Sequence, residues 1–303
     1  MSASAAAAAR SRAVEAALAL CRFAHFAAAM TLFGAMAFVA ALAPPDLARA
    51  LRPATRAIAA AAIPIAAASA LVWLALESAS MADDWSALVD PPSIGAVLTD
   101  TAFGAVWLWR LVVAAALVGA LALGRAGPSV ALVVGAALLL MSLGLVDHAA
   151  MQTGAVGALH RANDAAHLLA TAAWLGGLPM FALSLSAYRD SRLAAEAVTA
   201  MRRFSFWGQF DVALVVLTGV GNVALTSGFA SFAPTPYRML LATKLVLVAT
   251  MIALALINRY VLAPRLKPDG PAQRALARSC LAEVVLGAAV VALVSLFGLL
   301  DPS

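Results

Sequence analysis

Eight times along the chain, about twenty residues or more pass with almost no charge: 18–43, 55–76, 103–124, 129–148, 163–187, 204–227, 238–262 and 277–300. A run of about 20 apolar residues is what a helix needs to cross the hydrocarbon of a bilayer. Inside lipid the backbone finds no water, so each run must bond its amides within itself, as a helix does. The pattern predicts an all-α, polytopic integral membrane protein: a bundle of eight transmembrane helices, with residues 1–303 as a single membrane domain. Composition agrees where it decides something. The chain is 64% hydrophobic and 12% charged, whereas soluble domains run at about half and about a quarter.

The connections give an orientation. Pro44, Pro45, Pro128, Pro234, Pro236, Pro264 and Pro268 fall between the runs, as helix breakers should. Pro64 falls inside the second run and predicts a kink there. Arg49 and Arg52, Arg125, Arg189 and Arg192, and Arg265 and Lys267 occupy alternate connections. By the positive-inside rule those four face the cytoplasm, which places both termini in the periplasm. The connection 77–102 is the reverse, with Glu77, Asp83, Asp84, Asp90 and Asp100 and no Lys or Arg. The net charge of +5 thus reads as topology rather than as a nucleic-acid surface. The first run continues to Ala43 without a clear cleavage site, so it is read as a retained helix and not a signal peptide. Cys21 and Cys280 fall near opposite faces of the bilayer, too far apart for a disulfide.

Four histidines all fall at one level. His25 opens the first run, His148 ends the fourth, and His160 and His167 open the fifth. Alternating helix direction brings all four to the outer, periplasmic end. His160, Asp164 and His167 are spaced i, i+4, i+7, one stripe of a helix, and Cys21 and His25 are spaced i, i+4. Met151 lies about one turn from His148. Imidazole suits copper, zinc, iron and nickel, while thioether and thiol favour Cu(I). The candidate metal ligands are therefore His25, His148, His160, His167, Asp164, Met151 and Cys21, and a mixed set of this kind points first to copper. Ionisable groups inside a membrane are costly and mark function by default.

Other polar groups interrupt the runs. Arg110, Asp211, Lys244 and Glu283 are expected to face the bundle interior, since lipid exposure costs a few kcal/mol. Arg22 is expected to snorkel to the interface. Trp85, Trp107, Trp109, Trp174 and Trp207 mostly fall near run ends, as interface anchors do. Met81, beside Asp83 and Asp84, offers a weak capture point, although an ordinary solvated loop explains that trio as well.

At this point the residues resemble a known family. "VDHAA…HRANDAAHLLATAAWLGGL" is similar to the central region of copper resistance protein D, the CopD family of bacterial inner-membrane proteins. "TDTAFGAVWLWRL" resembles that family's third-helix entrance. "RFSFWGQFDVALVVLTGVGNV", followed by "TPYRMLLATKLVLVATMIALALINR", resembles its C-terminal region, here 196–300. The likeness covers about residues 98 to 300. It implies an eight-helix protein of the inner membrane, linked to copper homeostasis and resistance, that moves copper from periplasm to cytoplasm. It implies a separate periplasmic copper-binding partner of CopC type. It also implies that His25, His148, His160, His167 and Asp164 are copper-site positions.

Copper ion transport is thus the leading expectation, with no enzymatic role. No GxxxxGK[ST] run offers nucleotide as a driver, and no HExxH marks a zinc hydrolase. Two other readings stay open. Paired histidines on facing helices could hold b-type haem in a redox protein, though electron transfer across the bilayer wants a cofactor near each face. A copper receptor or assembly factor that never transports is the other.

Overall fold

The computed structural model describes residues 3–146, 152–226, 235–298 and Leu300. These form helices joined by short connections, with no strand among the described residues. The long helices are α1 (Ala3–Ala37), α2 (Pro45–Ala82), α4 (Ala102–Ala122), α6 (Gly154–Ala187), α7 (Ala194–Thr226), α8 (Pro236–Ile257) and α9 (Pro271–Phe297). All seven are long and apolar enough to cross a membrane. The expected fourth span is shorter. Its α5 (Val130–Met141) gives way to a 3-10 turn at Ser142–Leu145, and its expected end, at 148, lies outside the described residues. Gly144 explains the tight turn: a Cβ there would stand 2.8 Å from the Asp164 carboxylate.

Several boundaries move outward. α2 runs unbroken through Pro53 and Pro64 and continues to Ala82. The acidic connection is not an open loop but holds a 3-10 turn at Trp85–Leu88 and α3 (Pro91–Asp100). Two of its carboxylates are engaged in that local structure. Asp84 accepts from the Ser86 amide at 3.1 Å, and Asp90 from the Ser93 amide at 3.0 Å. A carboxylate that caps a helix start stabilises it by about 0.5–2 kcal/mol.

α1 is the hub and packs on α2, α5, α6 and α9. It approaches α6 very closely, because both carry glycine at the crossing. A Cβ on Gly34 would lie 2.3 Å from the Gly176 carbonyl carbon, and one on Gly176 would lie 2.0 Å from the Met30 carbonyl oxygen. Only hydrogen fits at either position. Ala172 and Gly176 supply the small-xxx-small spacing that lets membrane helices approach this closely.

One end of the bundle gathers the arginine-rich connections. The Leu47 amide donates to Glu196 at 2.7 Å, Arg203 donates to the Leu42 carbonyl at 3.2 Å, and Arg189 pairs with Asp269 at 3.0 Å. At the other end lie the described histidines, so the two ends differ in chemistry as the sequence predicts.

The interior also differs from expectation at Arg22 and two tryptophans. Arg22 does not snorkel. It is buried, with its guanidinium carbon 4.9 Å from the Trp73 ring centre and 5.5 Å from that of Phe26. Trp107 and Trp174 are buried rather than interfacial. The indole N–H of Trp107 finds its acceptor inside, the Ala70 carbonyl at 2.9 Å, which removes the reason for an indole to seek the membrane surface.

Candidate functional site

The α6 stripe faces α7. His160, Asn163, Asp164 and His167 meet Thr218, Asn222 and Thr226, whose own spacing of four residues makes a matching stripe. Asn163 donates to the Thr218 carbonyl at 2.8 Å and to Asn222 Oδ1 at 2.6 Å. Asn222 in turn donates to Asp164 Oδ1 at 3.0 Å. Lys244 on α8 lies within electrostatic reach of both Asp164 and His167. Interhelical hydrogen bonds in membranes contribute only about 0.6 kcal/mol each. Stability alone is therefore a poor reason to place so many polar groups here.

His167 shows how the site is set. Its Nδ1 lies 2.9 Å from Thr218 Oγ1. That hydroxyl has one proton, and it points to the Leu214 carbonyl, 2.5 Å away. A carbonyl can only accept, so Thr218 donates there and accepts from His167. The imidazole proton consequently sits on Nδ1, and Nε2 presents a lone pair. The ring also makes a backbone hydrogen bond with Val215.

His25 repeats the construction on α1 and α2. Its Nδ1 lies 2.9 Å from Ser69 Oγ, and Ser69 Oγ lies 2.6 Å from the Ile65 carbonyl. The same proton count puts the hydrogen on Nδ1. Its Nε2 is buried and has no hydrogen-bond partner among the described residues. A buried polar atom left in that state costs about 1–3 kcal/mol, and such an atom calls for an explanation such as an ion. Cys21 joins the same α2 residue by donating to the Ser69 carbonyl at 3.2 Å. Trp73 stands edge-on to the imidazole, with ring centres 5.9 Å apart, and Arg110 stacks near Trp73 and Trp107. Arg110 is itself fully buried and donates to Ser142 and to the Leu139 carbonyl.

His160 differs from both. Its Nδ1 meets Gln152 Oε1 at 3.2 Å and its Nε2 meets Thr226 Oγ1 at 3.4 Å, so both nitrogens are engaged.

The crossing glycines fix where the two lone pairs stand. Gly34 follows His25 by nine residues, and Gly176 follows His167 by nine. At 1.5 Å per residue both histidines lie about 13–14 Å above the crossing. Nine residues is also two and a half turns, so each ring points away from the α1/α6 seam. His25 and His167 thus share a level but face opposite sides. The structure joins His160, Asp164 and His167 on one stripe and Cys21 with His25 on another. Among the described residues no three of His, Cys, Asp and Glu gather as a metal cluster. His148 and Met151 lie outside the described residues.

Sequence reasoning missed Ser69 and Thr218, which set the tautomers, and Asn163 and Gln152. The four-residue spacing of Thr218, Asn222 and Thr226 opposite the histidine stripe was the readable signal for the α7 partners. Ser69 had none, since a lone serine in an apolar helix is common.

Comparison with known proteins bears on what this arrangement serves. Residues 13–158 match the family described as copper resistance protein D-like, N-terminal domain, and residues 198–297 match copper resistance protein D. The chain is 34% identical over 283 residues to inner membrane protein YebZ of Escherichia coli (strain K12), covering 93% of this chain and 97% of that protein. It is 32% identical over 220 residues to copper resistance protein D of Pseudomonas syringae pv. tomato, covering 66% and 69% respectively. No solved structure matches.

Proposed function

The chain belongs to the copper resistance protein D family and is a multi-pass inner-membrane protein, and from that premise we propose that it takes up copper at its histidine end and passes it toward the cytoplasm. In this reading the histidine end faces the periplasm. Copper enters along the α6/α7 stripe, meeting His160 and Asp164 before His167, which lies seven residues or about 10 Å further in. Asp211 continues the α7 stripe two turns below Thr218. A separate periplasmic copper-binding chain of CopC type would deliver the ion.

The observation that carries the reading is the pair of imidazoles whose Nδ1 atoms each lie 2.9 Å from a hydroxyl, that of Ser69 and that of Thr218. A metal-binding histidine has its second nitrogen held in this way, which fixes ring and tautomer and leaves the other nitrogen to the metal. Sparse ligation also suits cargo. A transit site must bind firmly enough to admit an ion and weakly enough to release it. The residues of a closed cage would hold copper, whereas single imidazoles on helix faces can exchange it.

Reconstitution tests this directly. Proteoliposomes holding the wild-type protein should accumulate labelled copper, and His167→Ala and His25→Ala proteins should not. Binding without accumulation would instead make the protein a receptor. A Soret band in the purified protein would point to haem.

A further inference from the structure

The arginine-rich end contains a cavity of about 1070 Å³. It lies between α6, α7, α8 and α9, and its nearest wall residue on α6, Trp174, stands seven residues, about 10 Å, below His167. α7 packs on α6 and α8 packs on α9, but α7 and α8 barely meet, so the cavity opens sideways between them. Phe206 on α7 and Leu256 and Tyr260 at the end of α8 line the cavity and are exposed.

The walls are apolar in one part and polar in another. Trp174, Val212, Ala213, Ile252 and Leu256 line the apolar part. Arg202, Ser205, Gln209 and Arg259 supply the polar part. A π-helical turn at Asn258–Leu262 ends α8, and three of its residues, Asn258, Arg259 and Tyr260, line the cavity. Such turns are frequent at functional sites. Arg259 donates to the Ser205 carbonyl at 2.5 Å and to its hydroxyl at 2.8 Å, so its guanidinium is held in place. Glu283, at the back, accepts from Asn258 at 2.5 Å. Phe206, Trp207 and Phe210 pack on one another, exposed, on the neighbouring face of α7. Exposed aromatics of this kind mark the level of lipid head groups.

We propose that this cavity binds one anionic glycerophospholipid from the surrounding leaflet. Its phosphate lies at Arg202 and Arg259, and an acyl chain lies along Val212, Ala213 and Ile252. The cavity is as large as the biggest common small-molecule sites. Its lateral mouth admits a lipid and its cations select a negative head group, as basic pockets between membrane helices do. Arginine suits phosphate because its planar fork matches two oxygens at once.

Native mass spectrometry of the full-length protein from mixed phosphatidylglycerol and phosphatidylcholine nanodiscs tests this. The wild type should retain one phosphatidylglycerol in preference to phosphatidylcholine. Arg202→Gln with Arg259→Gln should reduce that preference about tenfold or more. Gly208→Trp is the second variant, because a Cβ on Gly208 meets nothing within 4 Å and the indole can fill the space without clash. It should abolish retention of either lipid while the protein stays monodisperse. Equal retention of both lipids by the wild type would overturn the proposal, and so would a Gly208→Trp protein that keeps its lipid. Displacement of the lipid by millimolar inorganic phosphate would overturn it too, by showing a site for the free anion.

Discussion

His25 and His167 are built alike and housed differently. Each gives its Nδ1 proton to a hydroxyl whose own proton is tied to its helix backbone, Ser69 on α2 and Thr218 on α7. Each stands nine residues before a crossing glycine. Yet His25 is sealed, beneath Trp73 and beside Cys21, with no solvent exposure. His167 is only partly enclosed and shares its groove with Asp164 and Lys244. The difference separates preparation from access. The same Nδ1 contact is built once on a partly enclosed imidazole and once on a fully buried one.

Removing the common frame gives the largest expected effect. Gly176→Val drives a side chain into the Met30 carbonyl, so α1 and α6 cannot close and both histidines lose their level. The protein should fail to yield a monodisperse peak on size exclusion, whereas Gly208→Trp should elute normally. Next come the two histidines themselves. His167→Ala should remove rapid copper binding in stopped-flow measurements, and His25→Ala should remove only a slower phase. Equal effects on both phases would erase the distinction in access.

The tautomer locks should have smaller effects. Ser69→Ala and Thr218→Val each free an imidazole to turn, and outer partners of metal-binding histidines typically affect affinity by about 10–100-fold. Thr218→Ser should restore what Thr218→Val loses, as measured by competition with a copper chelator. The smallest change is Asn222→Ala. It breaks the contacts to Asn163 and Asp164 but no lock, and should lower stability by about 1 kcal/mol, visible as a slight fall in Tm with copper affinity kept.

The bundle was legible because bilayer thickness imposes a length on every apolar run, and seven runs became long helices as that rule requires. The fourth run departs at Ser142, where α5 gives way to a 3-10 turn; Gly144 in that turn lies against the Asp164 side chain of α6, and no local pattern records that contact. Connection 77–102 reads as an open loop because its carboxylates look like solvated charge. Two of them, Asp84 and Asp90, are caps, and a cap differs from a loop acid only in the turn or helix it starts. Helical spacing shows that His160, Asp164 and His167 share a stripe. It cannot show that His25 faces away from them, because the rotation of each helix is fixed by the contact of Gly34 with Gly176, a feature of two distant segments. Arg22 reads as a surface cation for a similar reason. Its stack on Trp73 depends on α2, not on its own depth.

Copper uptake in this form stands or falls with the Nε2 atoms of His25 and His167. Nitrogen-15 NMR of histidine-labelled protein in lipid, before and after Cu(I) is added, observes those atoms themselves. Nδ1–H tautomers are expected at both residues at rest, with Nε2 resonances that shift when copper binds. Nε2–H tautomers, or resonances that copper leaves unmoved at both residues, would contradict it.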